Sequence, residues 1–237
     1  MRKRTLIAAS ALFLVHGFIP VRPADAQELS RLLRQKADAL KQSIASNQQA
    51  LRQYTWIEKT EFSLKGDLKS TKIESCRYAP DGSIQKTLLS EPEEQKKKRG
   101  LRGKIAAKKT KEVEDYMDRS VSLIGRYVPP SPDRLKAAAD AGKVTISQAG
   151  PGTLQLQFRD YFKNGDSVTF TVDSEAKVIR QLNVDSYLSD AADKVTLDVQ
   201  FQTLPDATNR VTGKVLKIAA KEIVVNIVDS NYQKLAR

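Results

Sequence analysis

Histidine is almost missing from this 237-residue sequence: the single one, His16, lies among the first 26 residues. The rest of the chain therefore has no imidazole. That excludes Ser-His and Cys-His nucleophile systems and every histidine-based metal site. Cysteine is nearly as scarce. Cys76 stands alone, so no internal disulfide can form, and stability must come from packing. There is no phosphate loop, no dinucleotide fingerprint and no Cys/His metal spacing, so neither a cofactor nor a metal is expected. After the first segment, no apolar stretch is long enough to span a membrane.

That first segment has a recognisable order. Arg2, Lys3 and Arg4 precede a largely apolar run from Leu6 to Val21, and Ala24-Asp25-Ala26 closes it with small residues. Charge, apolar core and small-x-small define a secretory signal peptide, predicted here over residues 1–26 with cleavage after Ala26. The apolar core is too short for an anchor, and Gly17 and Pro20 break its far end. No cysteine follows the predicted cut, so no lipid anchor is expected there. The expected location is periplasmic or secreted. The formal charge of +12 becomes +9 once four basic residues and one acid leave with the signal. Residues 27–237 suffice for one good-sized core, and a single α+β binding domain is expected, as a monomer.

Within that domain, residues 27–53 have a helical period, with Leu29, Leu33, Leu40, Ile44 and Leu51 on one face. The period then switches to two. Tyr54, Trp56, Thr60, Phe62 and Leu64 alternate with polar residues up to Lys65-Gly66-Asp67. Strands are predicted at 68–79, ending in Pro80-Asp81-Gly82, and at 84–89. Helical periodicity recovers from Ile105 and stops before Pro129-Pro130, and Ser131-Pro132 opens a short helix ended by Gly142. Seven more strands are predicted at 143–148, 153–159, 167–173, 177–188, 194–203, 211–218 and 222–229. Short loops make consecutive strands antiparallel. With few helices to cover it, such a sheet is expected to curve strongly. The predicted fold is an incomplete meander barrel, with an N-terminal helix and lid helices on the concave side.

The order of these elements resembles the periplasmic lipoprotein-carrier fold of outer-membrane lipoprotein-sorting proteins and their anti-sigma-regulator relatives. The likeness includes strands containing Tyr54-Thr55-Trp56. It also includes Val168-Thr169-Phe170-Thr171-Val172-Asp173, then a turn and Val178-Ile179-Arg180-Gln181-Leu182, which look like that family's central hairpin. The resemblance implies a cavity for an acyl chain or a lipidated partner. No residue role is carried over from it.

One segment departs from that pattern. Residues 96–111 hold nine basic residues and no acid, among them Lys96, Lys97, Lys98, Arg99, Arg102, Lys104, Lys108 and Lys109. A solvated, exposed segment is the plain reading. The functional one is contact with anionic lipid or another acidic envelope polymer. Nucleic acid is not expected, because the protein is predicted to be exported and no aromatics interleave the block.

Geometry decides the other candidates. Ser83-Ile84-Gln85-Lys86 matches S-x-x-K, but in a strand Ser83 and Lys86 point to opposite faces, so no catalytic residue is assigned. Asp160, Asp166, Asp173 and Glu175 sit at predicted turns, where aspartate is ordinary. Trp56, Phe62 and Leu64 share a strand face; core packing competes there with lining a ligand cavity. The sequence therefore points to a non-enzymatic carrier or binding domain for an apolar or lipidated ligand. The alternative is an envelope interaction protein without a ligand cavity that binds an acidic partner.

Overall fold

A computed structural model of the chain describes residues 46–90 and 101–235. The predicted signal peptide, most of the N-terminal helix, and Lys96 to Arg99 lie outside those residues. Ten strands form one antiparallel sheet: β1 (Tyr54–Leu64), β2 (Asp67–Tyr78), β3 (Ile84–Ser90), β4 (Val144–Gly150), β5 (Thr153–Arg159), β6 (Ser167–Asp173), β7 (Val178–Tyr187), β8 (Lys194–Thr203), β9 (Asn209–Ile218) and β10 (Ile223–Lys234). Residues 46–51 are helical, and two further helices follow β3: α1 (Leu101–Ile124) and α2 (Pro132–Asp140). Among the described residues, no helix is long and apolar enough to cross a membrane.

The strand order is β3-β2-β1-β10-β9-β8-β7-β6-β5-β4. Strands β4 to β10 are a plain meander, and the N-terminal three-stranded unit joins it through the β1–β10 pair. The sheet is curved and not closed, with the helices on its concave side. Its free edges are β3 and β4. Local sequence sets the turns. Between β1 and β2, Lys65 (φ 55°) and Gly66 (φ 81°) supply the two positive φ values of a type I′ hairpin. Ser131 occupies the N-cap position of α2 without a side-chain capping bond, Pro132 stands in its first turn, and Gly142 (φ 67°) accepts the left-handed turn beyond its end.

The inner face carries the core. One cluster joins Tyr127, Ala138, Ala139, Val144, Phe158, Tyr161, Val168, Leu182, Val184 and Val199 beneath α2 and the end of α1. Another joins Val195, Leu216, Ile218, Ile223 and Val225, with Val113, Tyr116 and Met117 of α1 and Phe62 and Leu64 of β1 packed against it. Polar groups buried in the first cluster are paired at Tyr127 and Asp166. The Tyr127 hydroxyl donates to Asp166 at 2.6 Å and lies 2.7 Å from Ser186 Oγ, while the backbone N–H of Lys163 donates to the same carboxylate at 2.8 Å. The outer face is polar, with rows such as Gln157, Thr169, Asn183 and Asp198 in register across β5 to β8.

Two boundaries differ from the sequence reading by four residues or more. Helix α1 starts at Leu101 and runs through Gly103, four residues before the predicted start. A single internal glycine costs about 1 kcal/mol, which the surrounding lysine, arginine, alanine and leucine can outweigh. Strand β10 continues five residues past the predicted end at 229, because a bulge at Asn231 (φ 51°) lets Gln233 and Lys234 keep pairing with β1.

Candidate functional site

The inner face of β3, β2, β1, β10 and β9 is not uniformly apolar. Glu74 on β2 lies opposite Glu58 on β1, and Glu58 lies opposite Asp229 on β10, so three carboxylates stand in one row across the sheet. All three are buried. Like charges directly opposite one another are destabilising unless they are compensated. Lysines on both sides of the row do so. Lys86, from β3, donates to Glu58 and lies 3.8 Å from Glu74. Lys72 pairs with Glu74 at 2.7 Å, and Lys214 lies 3.2 Å from both Glu58 and Asp229. The carboxylates form the floor; the lysine side chains remain 28–47% exposed above them.

This layout separates the three acids electrostatically. Burial works against the Glu58 carboxylate, but the hydrogen bond from Lys86 and the charge of Lys214 outweigh it and hold its pKa below the ordinary value. Asp229 goes the other way. Burial, assisted by the charge of Glu58, raises its pKa despite Lys214. Burial disfavours the Lys86 ammonium, yet Glu58 and Glu74 raise its pKa. Cys76 is buried beside them, and burial with the Glu58 charge pushes the thiol to about 11. It is a packed, unreactive group.

Aromatic rings border the charged row. Trp56 stacks on Tyr232, with centroids 5.6 Å apart, and meets Tyr78 at 5.3 Å. The Arg210 guanidinium lies 4.6 Å from the Tyr232 centroid. Trp56 Nε1, Arg210 Nε and Asp229 Oδ1 are buried without a hydrogen-bond partner among the described residues. At the sheet edge, β3 is exposed along its whole length. Ile84, Lys86 and Leu88 share the inner face there, with Ile84 47% and Leu88 42% exposed.

The predicted ligand-lining residues fall into two places. Trp56 is buried among the aromatics, whereas Phe62 and Leu64 are half-buried against the apolar cluster under α1; Glu58 and Thr60 separate them on the same face. Of the basic segment, Arg102, Lys104, Lys108 and Lys109 fall within α1, and Lys108 is exposed. The S-x-x-K pair is split between different partners: Ser83 Oγ bonds Asp81 at 2.7 Å while Lys86 holds Glu58. Asp160 accepts from the Gly165 N–H, and Asp173 from the N–H groups of Glu175 and Ala176, as turn aspartates do. Sequence reasoning missed Glu58, Glu74, Lys72, Lys214 and Asp229, and took up Lys86 only as a catalytic candidate. The available signal was phase: Glu58 occupies the same strand face as Trp56 and Phe62, where an uncompensated acid is not tolerated.

No protein-family model matches the sequence, and no curated protein does. Among solved structures the chain is similar to a DUF1329 family protein from Desulfovibrio piger, with 8% identity, coverage of 91% of this chain and 93% of that one, and a TM-score of 0.36. It is also similar to a LolA superfamily protein from Nitrosomonas europaea, with 11% identity, coverage of 83% and 93%, and a TM-score of 0.30. A third is a domain named for outer membrane lipoprotein sorting from Vibrio parahaemolyticus, with 11% identity, coverage of 81% and 91%, and a TM-score of 0.30. These are likenesses of layout, and no ligand or activity passes from them to this chain.

Proposed function

We propose that the protein is an exported, non-enzymatic binding or carrier domain that holds an apolar or lipidated ligand on the inner face of its open sheet. The supporting observation is the exposure of Ile84 and Leu88 on that face of β3, beside the aromatic cluster of Trp56 and Tyr78. Exposed apolar groups next to a pre-built aromatic wall are what a ligand's hydrocarbon can cover, at about 25 cal/mol per Å² of apolar surface removed from water. Phe62 and Leu64 belong to the separate apolar cluster under α1, beyond Glu58 and Thr60 on the same face. The basic segment at 96–111 brings the loaded protein to anionic envelope surfaces. Location in the periplasm or outside the cell follows from the signal peptide of the sequence reading.

The test is calorimetric titration with dodecanoate, comparing the wild type with Ile84→Asp/Leu88→Asp. Both positions are exposed, so the fold should survive. The proposal expects saturable binding that weakens about tenfold or more, equivalent to about 1.4 kcal/mol. Binding unchanged by the double substitution would remove this face from the account.

A further inference from the structure

We infer that Lys72, Lys86 and Lys214 form a head-group site for an oxyanion, either a carboxylate or a phosphate, so that the ligand is an anionic amphiphile and not a neutral one. The inference rests on the proposed apolar-ligand reading and names the polar end of that ligand. The three lysines converge on the inner face from β2, β3 and β9, around the row Glu74, Glu58 and Asp229. Each ammonium has three N–H donors. Lys72 pairs with one carboxylate, and Lys86 and Lys214 with two each, so donors remain on side chains that are 28–47% exposed.

The vertical order of charge matters. The carboxylates lie beneath, each under 9% exposed, so a ligand approaching this face meets ammonium groups first. The three ammonium charges are matched by the three carboxylates, so an oxyanion is favoured only at short range, by the nearer N–H donors, and an approaching cation would meet like charge before reaching the acids. Lys86 also sits between Ile84 and Leu88 on one strand face, which places a cationic group within the exposed apolar strip. An amphiphile needs both in one place. Two buried N–H donors without partners, Trp56 Nε1 and Arg210 Nε, lie around Tyr232 at the border of this row.

The experiment titrates the full-length protein with dodecanoate, dodecyl phosphate and dodecanol, each below its aggregation limit. The readout is the fluorescence of Trp56, the chain's only tryptophan. The two anionic probes should bind about tenfold or more tighter than dodecanol, a difference of about 1.4 kcal/mol. The Lys72→Gln variant leaves Glu74 near Lys86 and should keep its fold. It should lower dodecanoate affinity about threefold and leave dodecanol affinity unchanged. Equal affinity for all three probes would overturn the head-group site while leaving the apolar reading intact. If no probe binds, the apolar reading itself fails, and the head-group site with it.

Discussion

Glu58 on β1 and Asp229 on β10 face each other across the ladder, and a single ammonium, Lys214 Nζ, lies 3.2 Å from a carboxylate oxygen of each. Two buried acids in this position are tolerable because that cation sits between them, with Lys86 bonding Glu58 as well. Lys214→Met should therefore destabilise the protein by about 3 kcal/mol, read as a lower urea midpoint. Adding Asp229→Asn to that variant should restore part of the loss, because one buried charge then disappears. If the single and double variants are equally destabilised, the shared-cation account is wrong.

The same pair makes opposite contributions to acid stability. The raised pKa of Asp229 means the folded protein holds its proton more tightly than the unfolded chain does. Its ionisation then costs stability, growing as the pH rises from the ordinary value of 3.8 to the folded one. Asp229→Asn should gain on the wild type across that rise. Glu58, with its pKa lowered, stabilises above the ordinary value of 4.5 and loses that effect as the pH falls through its folded value. The deficit of Glu58→Gln should therefore shrink in acid. Denaturation curves from pH 3 to pH 7, read against these ordinary carboxylate values, give both trends, and Asp229→Asn losing ground as the pH rises would contradict the assignment.

Cys76 should be unreactive in the folded protein. It is buried, and its pKa is pushed to about 11. Iodoacetamide at pH 8 should label it only after denaturant is added. Rapid labelling without denaturant would show that the sheet opens at β2 far more readily than its packing implies.

For the basic segment, Lys96→Glu/Lys97→Glu/Lys98→Glu should lose sedimentation with vesicles containing anionic phosphatidylglycerol, each lysine contributing about 1 kcal/mol near such a surface. Added salt should weaken wild-type binding in the same assay. Sedimentation unchanged by the three substitutions would remove the segment from the proposed mechanism.

Much of the sheet was legible in the sequence because its strands alternate cleanly and its turns use Lys-Gly, Pro-Asp-Gly and Asn-Gly chemistry. Leu154-Leu156-Phe158 and Val195-Leu197-Val199 fell on one face each, as period two requires. The β1–β10 junction was not legible. It pairs residues about 170 positions apart, as at Glu58 and Asp229, and no local pattern encodes that distance. The charged row had one local signal, the phase of Glu58 on the face of Trp56 and Phe62. Glu74, Lys86, Lys214 and Asp229 look ordinary in isolation, and register brings them to Glu58. The extension of β10 was hidden by Asp229, Ser230 and Asn231, a polar run that reads as a strand end and serves here as a bulge.

Carriage of an apolar ligand by this open sheet is tested most directly by native mass spectrometry of the protein purified from its host, followed by organic extraction. A discrete co-purifying acyl species, lost on extraction and regained on incubation with dodecanoate, is the predicted result. A bare polypeptide mass that incubation with dodecanoate does not shift would contradict it.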